Sequence, residues 1–151
     1  MDCQMMMTAS PHALRGTDTV RAAINAMLEH RVSALPVLDG EGRYLGVVSV
    51  PGLFGLALPR VVRATTAMRD LAFLHEALPD IKRRLAENAD APVTAILQVD
   101  APLLKADTSL IEAMLYFYRG HSMLPVVDPV SKKLLGVVTR VAALKLLAER
   151  L

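Results

Sequence analysis

Two hydroxyl-bearing residues stand at equivalent points of the chain and are its best candidates for ligand chemistry. Ser49 follows the apolar run Gly-Val-Val at residues 46–48, and Thr139 follows the same run at residues 136–138. A hydroxyl group donates and accepts hydrogen bonds, so each could hold a polar group of a ligand. Each could equally cap a following helix by accepting from its first backbone N–H groups. The sequence leaves both interpretations open.

Arg140 directly follows Thr139 and could bind a phosphate group through its guanidinium. The equivalent position after Ser49 is Val50, which carries no charge. The second copy of the pattern is therefore the better candidate for an anionic ligand. The alternative is that Arg140 is an ordinary solvated surface charge.

The remaining titratable residues form no catalytic or metal-binding pattern. The histidines at positions 12, 30, 75 and 121 are scattered, and the adjacent pair His75 and Glu76 would point to different faces of a helix. The sequence has no recognisable nucleophile elbow and no phosphate-binding glycine loop. We therefore expect neither enzymatic activity nor a bound metal.

The composition is that of a globular protein. The 151 residues are 53% hydrophobic and 21% charged, enough for one domain or two small repeats that share a core. A net charge of +2 gives no argument for nucleic-acid binding. The single cysteine, Cys3, excludes an internal disulfide, and we expect a reduced, cytoplasmic setting. Residues 44–59, the longest uncharged run, are too short to cross a bilayer, so we expect no direct membrane insertion.

An internal repeat determines the architecture. Three segments occur twice in the same order, 89 or 90 residues apart. They are residues 17–20 (Thr-Asp-Thr-Val), 33–37 (Ser-Ala-Leu-Pro-Val) and 45–49 (Leu-Gly-Val-Val-Ser), then 107–110 (Asp-Thr-Ser-Leu), 122–126 (Ser-Met-Leu-Pro-Val) and 135–139 (Leu-Gly-Val-Val-Thr). So many ordered matches indicate a duplicated structural unit.

Each copy predicts the same secondary structure. A capped helix follows the first segment, and the other two segments read as strands because they are short and rich in β-branched residues. Pro36 and Pro125 should stand at strand starts or edges, since proline donates no ladder hydrogen bond. A short extended piece is expected before each capped helix, near residues 12–14 and 102–104, and a last helix at residues 53–58 and 141–151. The predicted unit is strand–helix–strand–strand–helix.

The segment between the copies, residues 60–92, is predicted to be an insert. Apolar residues at alternating spacings of three and four predict helix over residues 66–89; they are Leu71, Leu74, Leu78, Ile81 and Leu85. Pro79 interrupts this pattern, so we expect one helix to end near Leu78 and another to begin with Pro79. The segment is interpreted as a linker that covers the core, with a partner-binding helix as the alternative.

The duplicated pattern resembles a tandem CBS domain, also called a Bateman module. Met7 with Thr8, and Ile96 with Leu97, lie where such domains often carry a lead-in segment similar to Ile-Met-Thr. The resemblance divides the chain into one repeat at residues 1–59, the insert at 60–92 and a second repeat at 93–151. It implies an α/β fold, classed as α+β by some schemes, in which two βαββα repeats pack with pseudo-twofold symmetry and leave clefts between them.

The resemblance also implies a function. CBS pairs usually regulate an enzyme, channel or transporter, do not catalyse, and often form homodimers. Many bind adenine nucleotides, and some bind S-adenosylmethionine. The expected function is therefore that of a regulatory module that binds AMP, ADP, ATP or S-adenosylmethionine in a cleft between the repeats and relays this to a partner protein or a fused domain.

Candidate ligand-binding residues follow from the resemblance; they are Ala34, Pro36, Ser49, Met123, Pro125, Thr139 and Arg140. Family members that bind adenosine carry Gly-x-x-(Thr/Ser)-x-x-Asp, whose carboxylate accepts the ribose hydroxyls. Here the aspartate position holds Gly52 in the first copy and Ala142 in the second. This loss favours an alternative function, a ligand-free module for dimerisation or partner docking.

Overall fold

The computed structural model describes residues 2–9, 11–64, 76–149 and 151, and shows two mixed helix–strand repeats. The first repeat consists of β1 Leu14–Arg15, α1 Val20–His30, β2 Ala34–Leu38, β3 Tyr44–Ser49 and α2 Val50–Ala57. The insert holds α3 Arg60–Ala64 and α4 Leu78–Glu87. The second repeat consists of α5 Leu110–Tyr118, β4 Met123–Val127, β5 Leu134–Thr139 and α6 Arg140–Ala148. This is the α+β architecture that the sequence predicts.

The prolines of the repeated segments lie in the middle of strands. For Pro36, in the central strand β2, this corrects the prediction of a strand start or edge, whereas Pro125 lies in β4, an outer strand of a two-stranded sheet. Pro36 is the third residue of β2 and faces Val47 in the antiparallel β2–β3 pair, and Pro125 faces Val137 in the same way. The N–H and C=O groups of Val137 bond to Thr8 instead of Pro125. The two residues thus form a non-hydrogen-bonded pair, in which the missing proline N–H costs no ladder bond.

The first strand of the unit is short in one repeat and reduced to a single bridge in the other. β1 pairs in parallel with β2, and Gly16 extends the pairing by donating its N–H to the carbonyl of Leu38 at 3.0 Å. In the second repeat only Leu104 pairs, by accepting from Val127 and donating to Pro125, both at 2.9 Å. The strand predicted near residues 102–104 is therefore reduced to the single residue Leu104.

Each repeat receives its lead-in segment from elsewhere in the chain. Thr8 exchanges two backbone hydrogen bonds with Val137, of 2.8 and 3.1 Å, so the N-terminal segment pairs with the second repeat. Gln98 likewise exchanges bonds of 2.9 and 3.0 Å with Val47 of the first repeat. Each repeat therefore pairs with a lead-in segment that is distant from it in the sequence.

The core residues show the same exchange. Val93 is fully buried in the core of the first repeat, whereas Cys3 and Met6 are buried in that of the second. Cys3 is thus a core residue, and its burial raises the pKa of the thiol. Each core is therefore completed by a lead-in segment that lies far from the rest of it in the sequence.

Symmetry-equivalent residues meet at the boundary between the repeats. The hydroxyl groups of Ser33 and Ser122, 89 positions apart, are joined by a hydrogen bond of 3.1 Å. Arg43 and Lys133 form an antiparallel bridge at a second point. A residue can contact its own symmetry equivalent only near the symmetry axis, so these pairs place the pseudo-twofold axis.

The helix starts follow from side-chain caps. The Thr19 hydroxyl accepts from Ala22 N–H at 3.1 Å to begin α1, and the Ser109 hydroxyl accepts from Glu112 N–H at 3.3 Å to begin α5. The last helix of each repeat begins directly after the hydroxyl residue that ends the preceding strand. In the first repeat α2 therefore begins at Val50, earlier than the predicted start at residue 53. α6 ends at Ala148 rather than at residue 151.

The insert packs against the first repeat through α4. One helix was predicted to end near Leu78 and another to begin with Pro79, but residues 76 and 77 are not helical and α4 begins at Leu78, so Pro79 is its second residue. Proline is tolerated there because its missing N–H would have no partner in the first turn. Arg84 of α4 donates to the carbonyl of Ala57 at 2.6 Å and to both carboxylate oxygens of Glu76 at 2.8 and 3.0 Å. These bonds join α4 to the end of α2. The predicted Leu71 and Leu74 contacts lie outside the described residues.

We expect Arg84→Gln to destabilise the docking of α4 by roughly 1–2 kcal/mol, since it removes charge-assisted hydrogen bonds from a side chain that is mostly shielded from water. Hydrogen exchange of the α4 amides should then become faster. Arg83→Gln is the matched control, because Arg83 is exposed and its ion pairs lie within α4. Equal protection of α4 in the Arg84 variant and the wild type would contradict this role.

Candidate ligand-binding clefts

Two clefts lie where the lead-in segments meet the repeats. The first, which we call the Arg140 cleft, has a volume of about 710 Å³, within the range of small-molecule sites. Its polar and charged lining residues are Thr8, His12, Arg31, Ser33, Ser122, Thr139 and Arg140. Both repeats and the N-terminal segment contribute to it.

The charge of the Arg140 cleft is positive. Arg31 and Arg140 line it, and no carboxylate is among its lining residues. Arg31 ends α1 in a left-handed conformation with φ of 54°. Arg140 is the first residue of α6, whose N-terminal backbone dipole adds to the positive potential. The cleft therefore favours an anionic ligand.

Most lining residues of the Arg140 cleft are apolar. We call these residues its apolar wall; they are Pro11, Met27, Leu28, Val32, Ala34, Leu35, Pro36, Val50, Met123, Val137 and Val141. His12 also lines the cleft, and its ring stacks on that of His30, with ring centroids 3.4 Å apart and planes 11° from parallel. Such a surface suits the face of a planar, weakly polar group.

The hydroxyl groups of Ser49 and Thr139 cap the helices that follow them, which confirms one of the two interpretations of these residues. Thr139 Oγ1 accepts from Ala142 N–H at 3.2 Å, and Ser49 Oγ accepts from Gly52 N–H at 3.4 Å. This bond uses an acceptor position of the oxygen and leaves its proton free to donate. Capping therefore does not preclude ligand binding, since Thr139 lines the Arg140 cleft as well.

The capping role predicts a moderate loss of stability. Thr139→Ala should lower the free energy of unfolding by about 1 kcal/mol, the usual cost of losing a threonine cap, and reduce the melting temperature by roughly 3 °C. Thr19→Ala is the matched control, because Thr19 caps α1 and lines neither cleft. We expect it to cost the same stability without affecting ligand binding. An unchanged melting temperature for Thr139→Ala would contradict the cap.

The second cleft, which we call the Ser49 cleft, has a volume of about 690 Å³. It is lined by Ser49, Pro51, Gly52, Ile96, Leu97, Gln98, Val99 and Asp100. Asp100 is the one charged residue among them, so this cleft lacks the cationic character of the first. Gly52 stands where a family aspartate is expected, and an added Cβ there would make ordinary contacts, 3.7 Å from the Ser49 hydroxyl and 3.8 Å from the Ile96 carbonyl oxygen.

The structure divides the candidate residues between these clefts. Five of the seven line the Arg140 cleft together; they are Ala34, Pro36, Met123, Thr139 and Arg140. Ser49 lines the other cleft, and Pro125 is fully buried and lines neither of the two. Sequence reasoning missed Arg31, His12 and Asp100 because they lie outside the repeated segments and reach the clefts only through the fold.

Two further observations concern the described part of the chain. None of its helices is both long and apolar enough to span a lipid bilayer. Within the same residues, no cluster of three or more histidine, cysteine, aspartate or glutamate side chains has a geometry that could hold a metal ion.

Comparison with known proteins gives a consistent family relationship. Residues 3–54 and 93–149 each match the CBS domain. The chain is 26% identical over 132 residues to the CBS domain-containing protein CBSX1, chloroplastic, of Arabidopsis thaliana, a match that covers 85% of this chain. The match covers 56% of that relative, so this chain spans little more than half of that protein's length.

Solved structures show the same fold. A CBS domain-containing protein of unknown function from Bacillus anthracis superposes with a TM-score of 0.74 at 22% identity, covering 100% of this chain and 95% of the other. CBSX2 of Arabidopsis thaliana, solved in complex with AMP, gives 0.71 at 21% identity, with 97% and 95% covered. Two matched regions in one chain, together with this superposition, leave one family to which the chain can be assigned.

Proposed function

Because the chain belongs to the CBS domain family, as a tandem pair of its domains, we propose that it is a regulatory module that binds an adenine nucleotide in the Arg140 cleft. The observation that carries this proposal is the combination of two arginines with an apolar wall in one cleft of nucleotide size. The AMP complex of CBSX2, which shares the fold, supports the choice of ligand. In this proposal the chain is cytoplasmic, performs no catalysis, and relays occupancy of the cleft to a partner protein or a fused domain.

The cleft offers a separate surface for each part of a nucleotide. The adenine ring would pack against the apolar wall, and the phosphate would bind the guanidinium groups of Arg140 and Arg31. The hydroxyl groups of Thr139 and Ser122 line the same cleft and provide hydrogen bonds to the ribose. Neither hydroxyl replaces a carboxylate, so affinity must depend mainly on the phosphate contacts and the base.

Thermal shift measurements with AMP, ADP, ATP and S-adenosylmethionine test this function. A ligand that binds only the folded state raises stability by about 2.7 kcal/mol at a hundred times its Kd, which here corresponds to roughly 8 °C. We expect stabilisation by the three phosphate-bearing nucleotides. No shift at millimolar concentrations of all of them would contradict nucleotide binding.

Restoring the missing carboxylate should strengthen the site. We expect Ala142→Asp to raise the affinity for AMP several-fold, because the new carboxylate can accept both ribose hydroxyls, although it lies near the phosphate and repels it in part. Isothermal titration calorimetry measures the change, with Ala142→Asn as the uncharged control. A loss of affinity in the aspartate variant would show that the ribose does not approach this position.

A second candidate function, assembly or partner docking, is supported by an exposed apolar face. This α5–α6 face consists of Ile111, Leu115, Tyr118 and Leu144, which are between 46% and 88% exposed. In the first repeat the equivalent helix α2 is packed against α4. Among the described residues no such helix covers α6, so we propose that a second copy of the chain packs there to form a homodimer.

A charge on this face should prevent dimerisation. We expect Leu144→Glu to elute as a monomer in size-exclusion chromatography with light scattering at micromolar concentration, because a buried carboxylate in the interface would lack a partner. Val130→Glu is the matched control, since Val130 is 89% exposed in a turn outside this face. A wild-type chain that is monomeric under the same conditions would contradict the homodimer.

A further inference from the structure

Two histidines that are distant in the sequence stack on each other at the Arg140 cleft. His12 precedes β1 and lines the cleft, and His30 is the last residue of α1. Their ring centroids are 3.4 Å apart and their planes are 11° from parallel. His12 is exposed and His30 is half-buried, so protons from solvent can reach the pair. The fold therefore places a titratable ring on the surface that a ligand would contact.

The ring of His12 can add a third positive charge to this cleft. Histidine is the side chain whose charge ordinarily changes between about pH 5 and pH 8. Arg31, which directly follows His30, and Arg140 line the same cleft, and no carboxylate is among its lining residues. A protonated His12 would extend this cationic lining. Unlike the charge of the two arginines, its charge depends on the pH.

The stacked pair has no counter-ion of its own in the described part of the chain, since none of the ion pairs there includes either histidine. Glu29 is exposed and precedes His30, but consecutive residues of a helix point to different faces. The other charged residues on the neighbouring elements are cationic; they are Arg15 of β1, Arg31 after α1 and Arg140 of α6. A bound phosphate would supply the negative charge that the cleft lining lacks.

The charge of a bound phosphate couples ligand binding to protonation. Negative charge in the cleft favours the protonated form of His12. The complex then holds more protons than the free protein, so by linkage the ligand binds more tightly as the pH falls. The stack limits this uptake to one proton, because two imidazolium rings 3.4 Å apart would repel each other.

We propose that the His12–His30 stack is a proton-binding site coupled to the Arg140 cleft. A phosphate-bearing ligand binds together with one proton on His12, and its affinity rises between about pH 8 and pH 6. His30 acts as a positioning residue, because its ring holds that of His12 at the cleft. The inference rests on the proposed nucleotide function, to which it adds that the chain responds to nucleotide and pH together.

Isothermal titration calorimetry with AMP at about pH 6 and pH 8 tests this coupling on the whole chain. The phosphate of AMP itself titrates near about pH 6, so every variant is compared with the wild type at both pH values. The ratio of the AMP affinity at the lower pH to that at the higher pH should be about threefold larger in the wild type than in His12→Asn. His121→Asn is the matched control, because His121 lines neither cleft, and it should keep the wild-type ratio.

A second measurement counts the protons directly. Binding heats in buffers of different ionisation enthalpy should show greater proton uptake by the wild type than by His12→Asn. His30→Phe keeps a ring that can stack but cannot take up a proton, so it should retain the wild-type uptake. AMP binding with the same pH response in the wild type and His12→Asn would overturn this inference alone. Absence of AMP binding at both pH values would overturn the nucleotide function of the Arg140 cleft as well.

Discussion

Replacing Arg140 with glutamine should lower the affinity for AMP at least tenfold and leave the affinity for adenosine unchanged. A hydrogen bond to a charged group contributes about 1.5–3 kcal/mol, which corresponds to a factor of ten or more in Kd. The loss should be larger for ATP than for AMP, because more phosphate charge then lies in the cleft. Isothermal titration calorimetry at constant ionic strength measures all three ligands.

A control separates contact from general charge. Arg119→Gln removes the same charge from an exposed residue of the second repeat that lines neither cleft, and it should change AMP affinity by less than about twofold. If both variants bind AMP as the wild type does, the phosphate does not contact Arg140. If both weaken binding equally, the arginines act only through net charge.

The second large effect concerns the close approach of the N-terminal segment to β5. A Cβ at Gly136 would lie 2.5 Å from the Thr8 carbonyl oxygen and would also clash with the Met7 side chain. The Thr8 carbonyl cannot move aside freely, because it accepts the Val137 N–H at 3.1 Å. We expect Gly136→Ala to destabilise the fold by about 3 kcal/mol and to lower the melting temperature by roughly 10 °C.

Gly40→Ala is the control for this prediction. A Cβ at Gly40 would meet nothing within 4 Å, and its backbone needs no left-handed conformation. Its melting temperature should therefore stay close to that of the wild type. Gly46→Ala should behave like Gly136→Ala, since its Cβ would lie 2.7 Å from the Gln98 carbonyl oxygen. Wild-type stability of both crowded variants would show that the lead-in segments do not pair as described.

The duplication in the sequence predicts most of the fold. Hydroxyl caps such as Thr19 and Ser109 are local signals, because a cap bonds to a backbone group three residues away. The hairpins follow from short apolar runs separated by turn residues. The position of Pro36 within β2 was predicted wrongly. A proline inside a strand costs a ladder hydrogen bond only if the residue opposite directs its own hydrogen bonds towards the proline, and Val47 bonds to Gln98 instead. That choice depends on the neighbouring strands and not on the residues around Pro36.

The clefts were predictable only in part. Thr139 and Arg140 directly follow the repeated Gly-Val-Val segment, so comparison of the two copies identifies them as candidate ligand-binding residues. Arg31 and Asp100 were missed because one ends a helix and the other follows a lead-in segment that pairs with the opposite repeat. No local pattern records that exchange. The spatial grouping of charges, and hence the different character of the two clefts, therefore requires the tertiary structure.

The location of AMP in a crystal structure of the complex tests the central claim most directly. The account predicts the phosphate within hydrogen-bonding distance of the Arg140 guanidinium, and the adenine ring against the apolar wall that includes Val50 and Met123. AMP bound in the Ser49 cleft, or an empty Arg140 cleft at saturating AMP, would contradict it.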